Sequence, residues 1–226
     1  MDVIYGVVDS IFVKGKTMPK KDSENGKKGV EENSGFENDI EKTPIFEKFA
    51  KRVSDEVGIG LDIDCVFSKI VFPAARDGSG IANKYYGITT AGEMESRGIG
   101  IRRGDTPKML HSFQAEAIKI IFSGEGFSGA RKTADFFKSM VAKGFLSVED
   151  LAVRRQLRRP IGEYVSNAPH LAAFRDCPNA RGDATYVWAR CGPKTAAHAS
   201  RAEIDGEKYC ALIDDYFREL VRGVRL

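Results

Sequence analysis

The segment VIYGVVDSIFV, residues 3–13, is the densest run of β-branched and aromatic residues in the chain. Side chains of this kind favour β-strands, and Gly6 in the middle of the run indicates a bend. Asp9 is the only charged residue within it. The sequence therefore predicts buried strand structure that holds a single carboxylate in a rigid position.

The residues that follow this segment change abruptly in character. Residues 14–43 are rich in Lys, Glu, Asp, Asn, Ser and Gly, and Phe36 is their only aromatic residue. Such a stretch buries too little apolar surface to offset its ordering entropy, so we expect a flexible insertion. Thr43 and Pro44 then predict the start of a helix with one apolar face, which ends at Gly58.

The rest of the chain mixes predicted strands with predicted helices. Alternation predicts a strand over Leu61–Phe72 with Asp62 and Asp64 on one face, and a strand pair over 85–101 around the Gly92-Glu93 turn. Further segments are a helix opened by Thr106-Pro107 and closed near Gly124, a helix over 129–143, short strands over 150–155 and 184–190, and a final helix over 206–222. Strands early and helices later predict an α+β fold.

Composition excludes several functional classes. The 226 residues are 42% hydrophobic and 30% charged, which is typical of a soluble globular chain. The four cysteines and three histidines are scattered, which favours reduced thiols over a zinc or iron–sulfur site. There is no P-loop, and in GIGIRRG at 98–104 only the first two glycines of the dinucleotide fingerprint Gly-x-Gly-x-x-Gly are in place. With no apolar run of about 20 residues and no signal peptide, we expect a cytoplasmic protein without a membrane partner.

The net charge of +3 is small, but the positive charges are clustered. There are two basic clusters: Arg97, Arg102, Arg103 and Lys108, and then Arg154, Arg155, Arg158 and Arg159. Local clusters of this kind neutralise nucleic-acid phosphates even in a nearly neutral chain. A solvated protein face explains them equally well on charge alone.

Residues 5–10, within the apolar run at 3–13, resemble a known motif. Tyr5-Gly6-Val7-Val8-Asp9-Ser10 resembles the Tyr-Gly-Asp-Thr-Asp-Ser hairpin in the palm of family B DNA polymerases, with Tyr5, Gly6, Asp9 and Ser10 matching. Val7 and Val8 depart from that pattern, and Val-Val is poor chemistry for a tight turn.

Further resemblances to the same family follow in the same order along the chain. ANKYYG at 82–87 is similar to the Lys-Lys-Arg/Lys-Tyr-x-Gly motif that touches the primer–template duplex, and GIGIRRGD at 98–105 resembles the Gly-hydrophobic-Glu-x-Arg-Arg-Asp segment. LRRP at 157–160, Tyr164 and APHL at 168–171 resemble the thumb pattern. Gly182-Asp183 with Tyr186-Val187, and then Tyr209 with Tyr216-Phe217, resemble the strand and the Tyr-rich helix that close the family's pattern.

The resemblance implies an architecture and a set of site residues. Residues 1–105 would form an antiparallel palm sheet fragment with packed helices, and 106–226 a mostly helical thumb. Asp9 would be catalytic and bridge the metals, and Asp64 would lie near them, although an exposed strand face explains Asp62 and Asp64 equally well. The implied DNA-binding residues are Lys84, Tyr85, Gly87, Arg102, Arg103, Arg158, Arg159, Tyr164 and His170. For Tyr164 a packing role is the open alternative, and for Arg102 and Arg103 a role in the structure of the palm.

The resemblance also implies a cofactor and partners. Phosphoryl transfer of this type uses two Mg²⁺ ions held by carboxylates and substrate phosphates. Asp9 alone cannot organise two metals, so we expect a large polymerase subunit that carries the exonuclease, the fingers and the other palm carboxylate. The chain looks like the small subunit of the two-chain family B polymerases of archaeal methanogens, acting on primer–template DNA and dNTP. The alternative is a degenerate palm–thumb subunit that binds DNA and its partner without nucleotidyl transfer.

Overall fold

The computed structural model describes residues 2–7, 10–14, 43–75, 77–177 and 179–223. These residues form eight β-strands and six α-helices. Two compact units account for them, one made of Met1–Ile70 with Ile88–Glu93 and the other of Val71–Gly87 with Met94–Leu226. The described helices include none with both the length and the apolar composition of a membrane span. The predicted α+β class is confirmed.

The first unit begins with an antiparallel strand pair. Strand β1 (Asp2–Val7) pairs with β2 (Ser10–Lys14), with Gly6 opposite Ile11, so the predicted strands are confirmed. Their predicted burial is wrong, since Val3, Ile4 and Ile11 are 62%, 50% and 46% exposed. A two-stranded sheet offers too little structure of its own to cover these side chains. The register shifts between Val3 and Tyr5 and not at Gly6, where we predicted the bend. Asp9, Val8 and residues 15–42 lie outside the described residues, and so does the predicted insertion.

Helix α1 follows the strand pair in the first unit. Helix α1 (Thr43–Val57) ends at Gly58, whose φ of +69° explains why glycine stands there, and both ends match the prediction. Its apolar residues are exposed or half-buried, and Ile45 and Val57 are each 56% exposed.

The next strand is shorter than predicted. Strand β3 covers only Phe67–Val71, so the prediction that Asp62 and Asp64 alternate along a strand face is wrong. Both aspartates lie in an irregular, exposed segment. The physical reason is that Asp is disfavoured in strands, and Ser54 accepts a 2.8 Å hydrogen bond from the Leu61 amide that holds the chain close to α1.

Strands β4 (Tyr85–Thr89) and β5 (Met94–Arg97) confirm the predicted strand pair around a Gly-Glu turn. Gly92 has φ +82° in that turn, and the Thr89 amide donates to the Glu93 carbonyl at 2.9 Å. The order in this three-stranded sheet is β3-β4-β5, and the chain passes between the two units within β3 and β4.

The second unit holds the buried core. Helices α2 (Lys108–Phe122), α3 (Gly126–Ala142) and α6 (Gly206–Val221) confirm the three longest helices predicted for this part of the chain, although α3 begins three residues early. Phe113, Ala130 and Ile213 are fully buried between them. Tyr86 and Ile99 belong to the same core, which therefore draws on residues from both sides of residue 105. The palm–thumb boundary at 105 stays a prediction.

The start of α2 differs from the predicted cap. Pro107 precedes the helix, and no side chain caps its first turn. The Thr106 hydroxyl instead donates to the Gly100 carbonyl at 2.7 Å, so the prediction that Thr106 is the N-cap is wrong. The hydroxyl thus adds a second hydrogen bond to the Gly100 carbonyl, which also accepts from the Arg103 amide at 3.0 Å.

A further sheet, in the second unit, follows helices α2 and α3 in the chain. Helix α4 (Val148–Leu151) occupies the position where we predicted a strand to start, because Ser147 and Asp150 form a reciprocal cap. Strands β6 (Val153–Leu157), β7 (Gly182–Ala189) and β8 (Gly192–Thr195) form an antiparallel sheet in that order. Helix α5 (Pro169–Ala173) lies between β6 and β7 in the chain.

Candidate nucleic-acid interface

Residues from both basic clusters, Arg103 from the first and Arg154 and Arg155 from the second, line one open groove of about 740 Å³ in the second unit. The groove is lined by Arg103, Gly104, Asp105, Arg154, Arg155, Gln156 and Asp183. Three arginines against two aspartates give the lining a net positive charge. Such a surface suits phosphate groups, which arginine binds through its planar fork of donors.

One side of the groove is formed by a tight turn. Residues Gly100–Arg102 form a single 3-10 turn, which the Arg103 amide closes by donating to the Gly100 carbonyl at 3.0 Å. The Arg103 guanidinium lies 5.3 Å from the centre of the Tyr216 ring on α6. Arg102 and Arg103 are both exposed, although the backbone that carries them is held closely.

The other side of the groove is strand β6. Val153 and Leu157 at its two ends are buried, while the three residues between them are exposed. Arg154 and Arg155 are thereby fixed on a paired strand, opposite Thr185 and Ala184 of β7. Arg155 forms an ion pair with Asp105, which neutralises part of its charge within the groove.

The predicted thumb residues lie together after β6. The Arg159 guanidinium stacks 4.5 Å from the centre of the Tyr164 ring, and the Tyr164 hydroxyl accepts from the Arg158 amide at 3.2 Å. Tyr164 is half-buried, so it packs beneath the arginine pair. A DNA contact by Arg158, Arg159 or Tyr164 stays a prediction.

His170 lies in the first turn of α5 and is half-buried. Burial lowers its pKa below the ordinary value, and the nearby Arg155 charge lowers it further. In the chain without DNA, the neutral imidazole is therefore the favoured form at pH 7.

The predicted contact motif at 82–87 passes from the surface into the core, with Ala82 and Asn83 exposed and Tyr86 and Gly87 buried. The Lys84 ammonium forms a 2.7 Å ion pair with Glu219, and both side chains are largely buried. Tyr85 packs 6.3 Å from the Phe72 ring, and Gly87 is buried. Lys84 thus has an internal partner, and the DNA contacts of these three residues stay predictions.

A buried polar network was not predicted from the sequence. Glu219 accepts from the Gly100 amide at 2.9 Å and from the Gln114 side chain at 3.1 Å, and Gln114 in turn accepts from the Ile101 amide at 2.6 Å. Gln114 is fully buried. Its position on the otherwise apolar face of α2 was the one signal in the sequence that could have pointed to this network.

The predicted metal ligands are not brought together within the described residues. Asp9 lies outside them, and so does the side chain of Tyr5, while Gly6 and Ser10 are strand residues of the hairpin. Asp64 is exposed in the segment before β3. Across the described ranges, no three His, Cys, Asp or Glu side chains converge as a metal site would require. These residues alone therefore do not form a two-metal centre.

Comparison with known proteins relates the chain to DNA polymerases. It is 28% identical to DNA polymerase II of Escherichia coli over 98% of this chain and 30% of that protein. It is 23% identical to DNA polymerase 1 of Sulfolobus acidocaldarius over 99% of this chain and 24% of the relative. With DNA polymerase 2 of Aeropyrum pernix it shares 24% identity over 76% of this chain and 18% of the relative. No family model matches the sequence.

Comparison of the structure with solved structures also relates the chain to a DNA polymerase. The family B DNA polymerase of the archaeon Pyrobaculum calidifontis matches 82% of this chain with a TM-score of 0.60, at 15% sequence identity and over 25% of that polymerase. The chain thus spans between 18% and 30% of the length of the relatives it matches in sequence. These comparisons relate it to DNA polymerases in sequence and to part of a family B DNA polymerase in fold.

Proposed function

We propose that this chain is the small subunit of a two-chain DNA-directed DNA polymerase, to which it supplies the palm hairpin and the thumb that grips primer–template DNA. The observation that carries the proposal is the sequence similarity to DNA polymerases over 98% and 99% of the chain. The positively charged groove supports it, because it offers arginines from two separate segments to a phosphate backbone.

The proposed partner is a large subunit with the exonuclease, the fingers and the second palm carboxylate. The relatives are more than three times as long as the part this chain matches, so a working polymerase needs further sequence. In this arrangement Asp9 and the partner's carboxylate would together complete the active site, and dNTP would bind mainly to the partner. We expect no synthesis by this chain alone.

The proposed cofactor is Mg²⁺, shared between the two chains. When bound, the ions would neutralise charge on the transferred phosphate and on the attacking and leaving oxygens. Asp9 would supply carboxylate oxygens to them, and the exposed Asp64 could supply another from the segment before β3. This chain's own contribution is to hold those oxygens and the primer–template duplex in place.

The second candidate function is DNA and partner binding without nucleotidyl transfer. Val7 and Val8 favour it, since they stand where the resembling motif has Asp and Thr. The valine side chain has no oxygen to offer a metal, so one carboxylate ligand of the motif is lost. The groove and the core of the second unit do not depend on those two positions.

Primer extension separates the two functions. The tagged chain is purified with the partner that accompanies it, and extension is measured for the chain alone, for the pair, and for the pair with Asp9→Ala. Catalysis predicts extension only by the wild-type pair, with loss to background in Asp9→Ala. Asp55→Ala, which changes an exposed carboxylate of α1, serves as the matched control.

The other results of primer extension distinguish between the two functions as follows. Equal extension by the wild-type and Asp9→Ala pairs would rule out the catalytic role of Asp9. A pair that binds primer–template but does not extend it supports the degenerate subunit, and Val7→Asp with Val8→Thr then tests whether those positions explain the loss. Purification without any polymerase-like partner, identified by mass spectrometry, contradicts the two-chain arrangement.

A further inference from the structure

We propose that Glu219 is a positioning residue for Arg102 and Arg103, which it holds at the DNA interface through the turn Gly100–Arg102. The inference rests on the proposed function, because it assigns Glu219 to the same interface. Glu219 lies on α6, well away in sequence from both arginines, and we place it behind the turn without contact to DNA.

The carboxylate of Glu219 binds three separate segments. One oxygen accepts from the Lys84 ammonium at 2.7 Å, and the other accepts from the Gly100 amide at 2.9 Å and the Gln114 side chain at 3.1 Å. The Glu219 side chain is 15% exposed, and Gln114 is fully buried. Water therefore has little access to replace these bonds.

The turn that carries the arginines is attached to α6 at two points. Glu219 holds the amide of Gly100 at the start of the turn. At its end, the Tyr216 ring lies 5.3 Å from the Arg103 guanidinium, and the Tyr216 hydroxyl is 3.0 Å from the Thr106 hydroxyl. The turn cannot shift relative to α6 without breaking one of these contacts, so the helix fixes the backbone that carries both arginines and also contacts the Arg103 guanidinium.

The charge state of Glu219 suits this role. Burial raises its pKa, but the hydrogen bonds from Lys84, Gly100 and Gln114 outweigh burial and leave the pKa below the ordinary value. Glu219 is thus ionised at neutral pH. An anion accepts hydrogen bonds more strongly than a neutral group, which favours a carboxylate over an amide at this position.

The test is Glu219→Gln in the full chain with its partner, with affinity for a primer–template duplex measured as a function of salt. We expect binding to weaken about tenfold, equivalent to roughly one charged hydrogen bond. The slope of log affinity against log salt should fall by up to about 2 as the two arginines lose their phosphate contacts. The matched control is Glu203→Gln, which removes a carboxylate paired with Lys194 and Ser200 but unconnected to the turn.

A double-mutant cycle distinguishes positioning from general stabilisation. If Glu219 acts through the arginines, Glu219→Gln causes no further loss of affinity in a chain that already carries Arg102→Ala and Arg103→Ala. A purely structural role would lower the unfolding midpoint while leaving the affinity of the folded protein and its salt slope unchanged. That result, or full additivity, overturns the proposal.

Three further outcomes bear on the proposal. If Glu219→Gln does not fold, Tyr216→Leu removes the second attachment of the turn, and unchanged duplex affinity in that variant overturns the proposal. If the wild-type pair does not bind duplex DNA at all, the proposed function fails together with this inference. If the wild-type pair binds and Glu219→Gln binds equally well, only the inference fails.

Discussion

At the scale of single residues, Gly100 shows how closely the turn fits against α6. A Cβ atom added there would lie 2.3 Å from a ring carbon of Tyr216 and 2.9 Å from the Gln114 side-chain oxygen. We expect Gly100→Ala to lower the free energy of unfolding by about 1–3 kcal/mol, because a packed core has to shift to admit the methyl group. Denaturant unfolding measures the loss.

Gly104→Ala is the matched control for this substitution. A Cβ at Gly104 would meet no atom within 4 Å, so we expect a change within about 0.5 kcal/mol, as for an ordinary surface substitution. Equal losses at the two positions would show that the close approach of Tyr216 to Gly100 is not a constraint on the fold.

Single residues were predicted from the sequence only where they act locally. Gly58 and Gly92 were predictable because a helix end and a tight turn need positive φ at those positions. The bond between Gln114 and Glu219 joins residues 105 apart, and no local pattern in the chain indicates that pairing. The same holds for Lys84, whose motif predicts a DNA contact and whose ammonium is paired with Glu219 inside the protein.

At the scale of elements, Tyr209 connects three of them. It is fully buried on α6, where its hydroxyl donates to the Leu151 carbonyl of α4 at 2.7 Å and accepts from the Trp188 amide of β7 at 3.1 Å. Tyr209→Phe leaves both backbone groups without this partner. We expect a loss of about 1–3 kcal/mol in unfolding free energy, the usual cost of an unsatisfied buried group.

Tyr164→Phe provides the comparison for Tyr209. Its hydroxyl accepts one hydrogen bond from the exposed Arg158 amide, which water can satisfy after the substitution. We therefore expect a smaller loss than at Tyr209 in the same thermal or denaturant experiment. A loss at Tyr164 as large as at Tyr209 would contradict the assignment of Tyr209 as the more important link between elements.

The elements that were predicted correctly are those with long apolar periodicity. Helices α2, α3 and α6 each repeat apolar residues at helical spacing over four turns or more, so their existence was clear from the sequence. Helix α4 and strand β8 are four residues each, too short for a period, and depend on a cap and on pairing with β7. Strand β3 was predicted too long because alternation continues through aspartates that lie before it.

At the scale of the whole molecule, Glu219 gives unfolding a pH dependence. Its pKa in the folded chain is below the ordinary value of 4.5, so ionised Glu219 stabilises the fold above that pH. The contribution is lost as pH falls from there through the folded-state pKa. We expect the difference in unfolding free energy between wild type and Glu219→Gln to be constant near neutral pH and to shrink below about pH 4.5.

Other carboxylates titrate in the same direction, so only the difference between the two proteins is informative. Hydrogen bonding to Lys194 and Ser200 lowers the pKa of Glu203 to about 2, and Ser147 lowers that of Asp150. These groups are unchanged in Glu219→Gln and cancel in the comparison. Parallel stability curves for the two proteins down to acid pH would contradict the assignment of Glu219.

The groove as a whole makes a prediction about salt. If Arg154 contacts a phosphate, Arg154→Ala should reduce the salt slope of duplex binding by about 1 and weaken binding similarly on any DNA sequence. Lys143→Ala, an exposed cation at the end of α3, should leave the slope unchanged. An unchanged slope in Arg154→Ala would exclude this arginine from the interface.

Fold class was predictable for the whole chain, and the assembly of the groove was not. The two basic clusters were visible as charge runs, but a solvated face explained each one separately. Their meeting at one groove depends on the placement of β6 relative to the turn at Gly100–Arg102, which is a tertiary property.

The bonds between the segment at 84–86 and α6 also bear on the kinetics of folding. The Tyr86 hydroxyl donates to the Leu220 carbonyl at 2.8 Å across a separation of 134 residues, so this contact closes a very long loop. Loops of that length form slowly relative to local helix pairs. We expect α2 and α3 to associate early and α6 to dock late in folding.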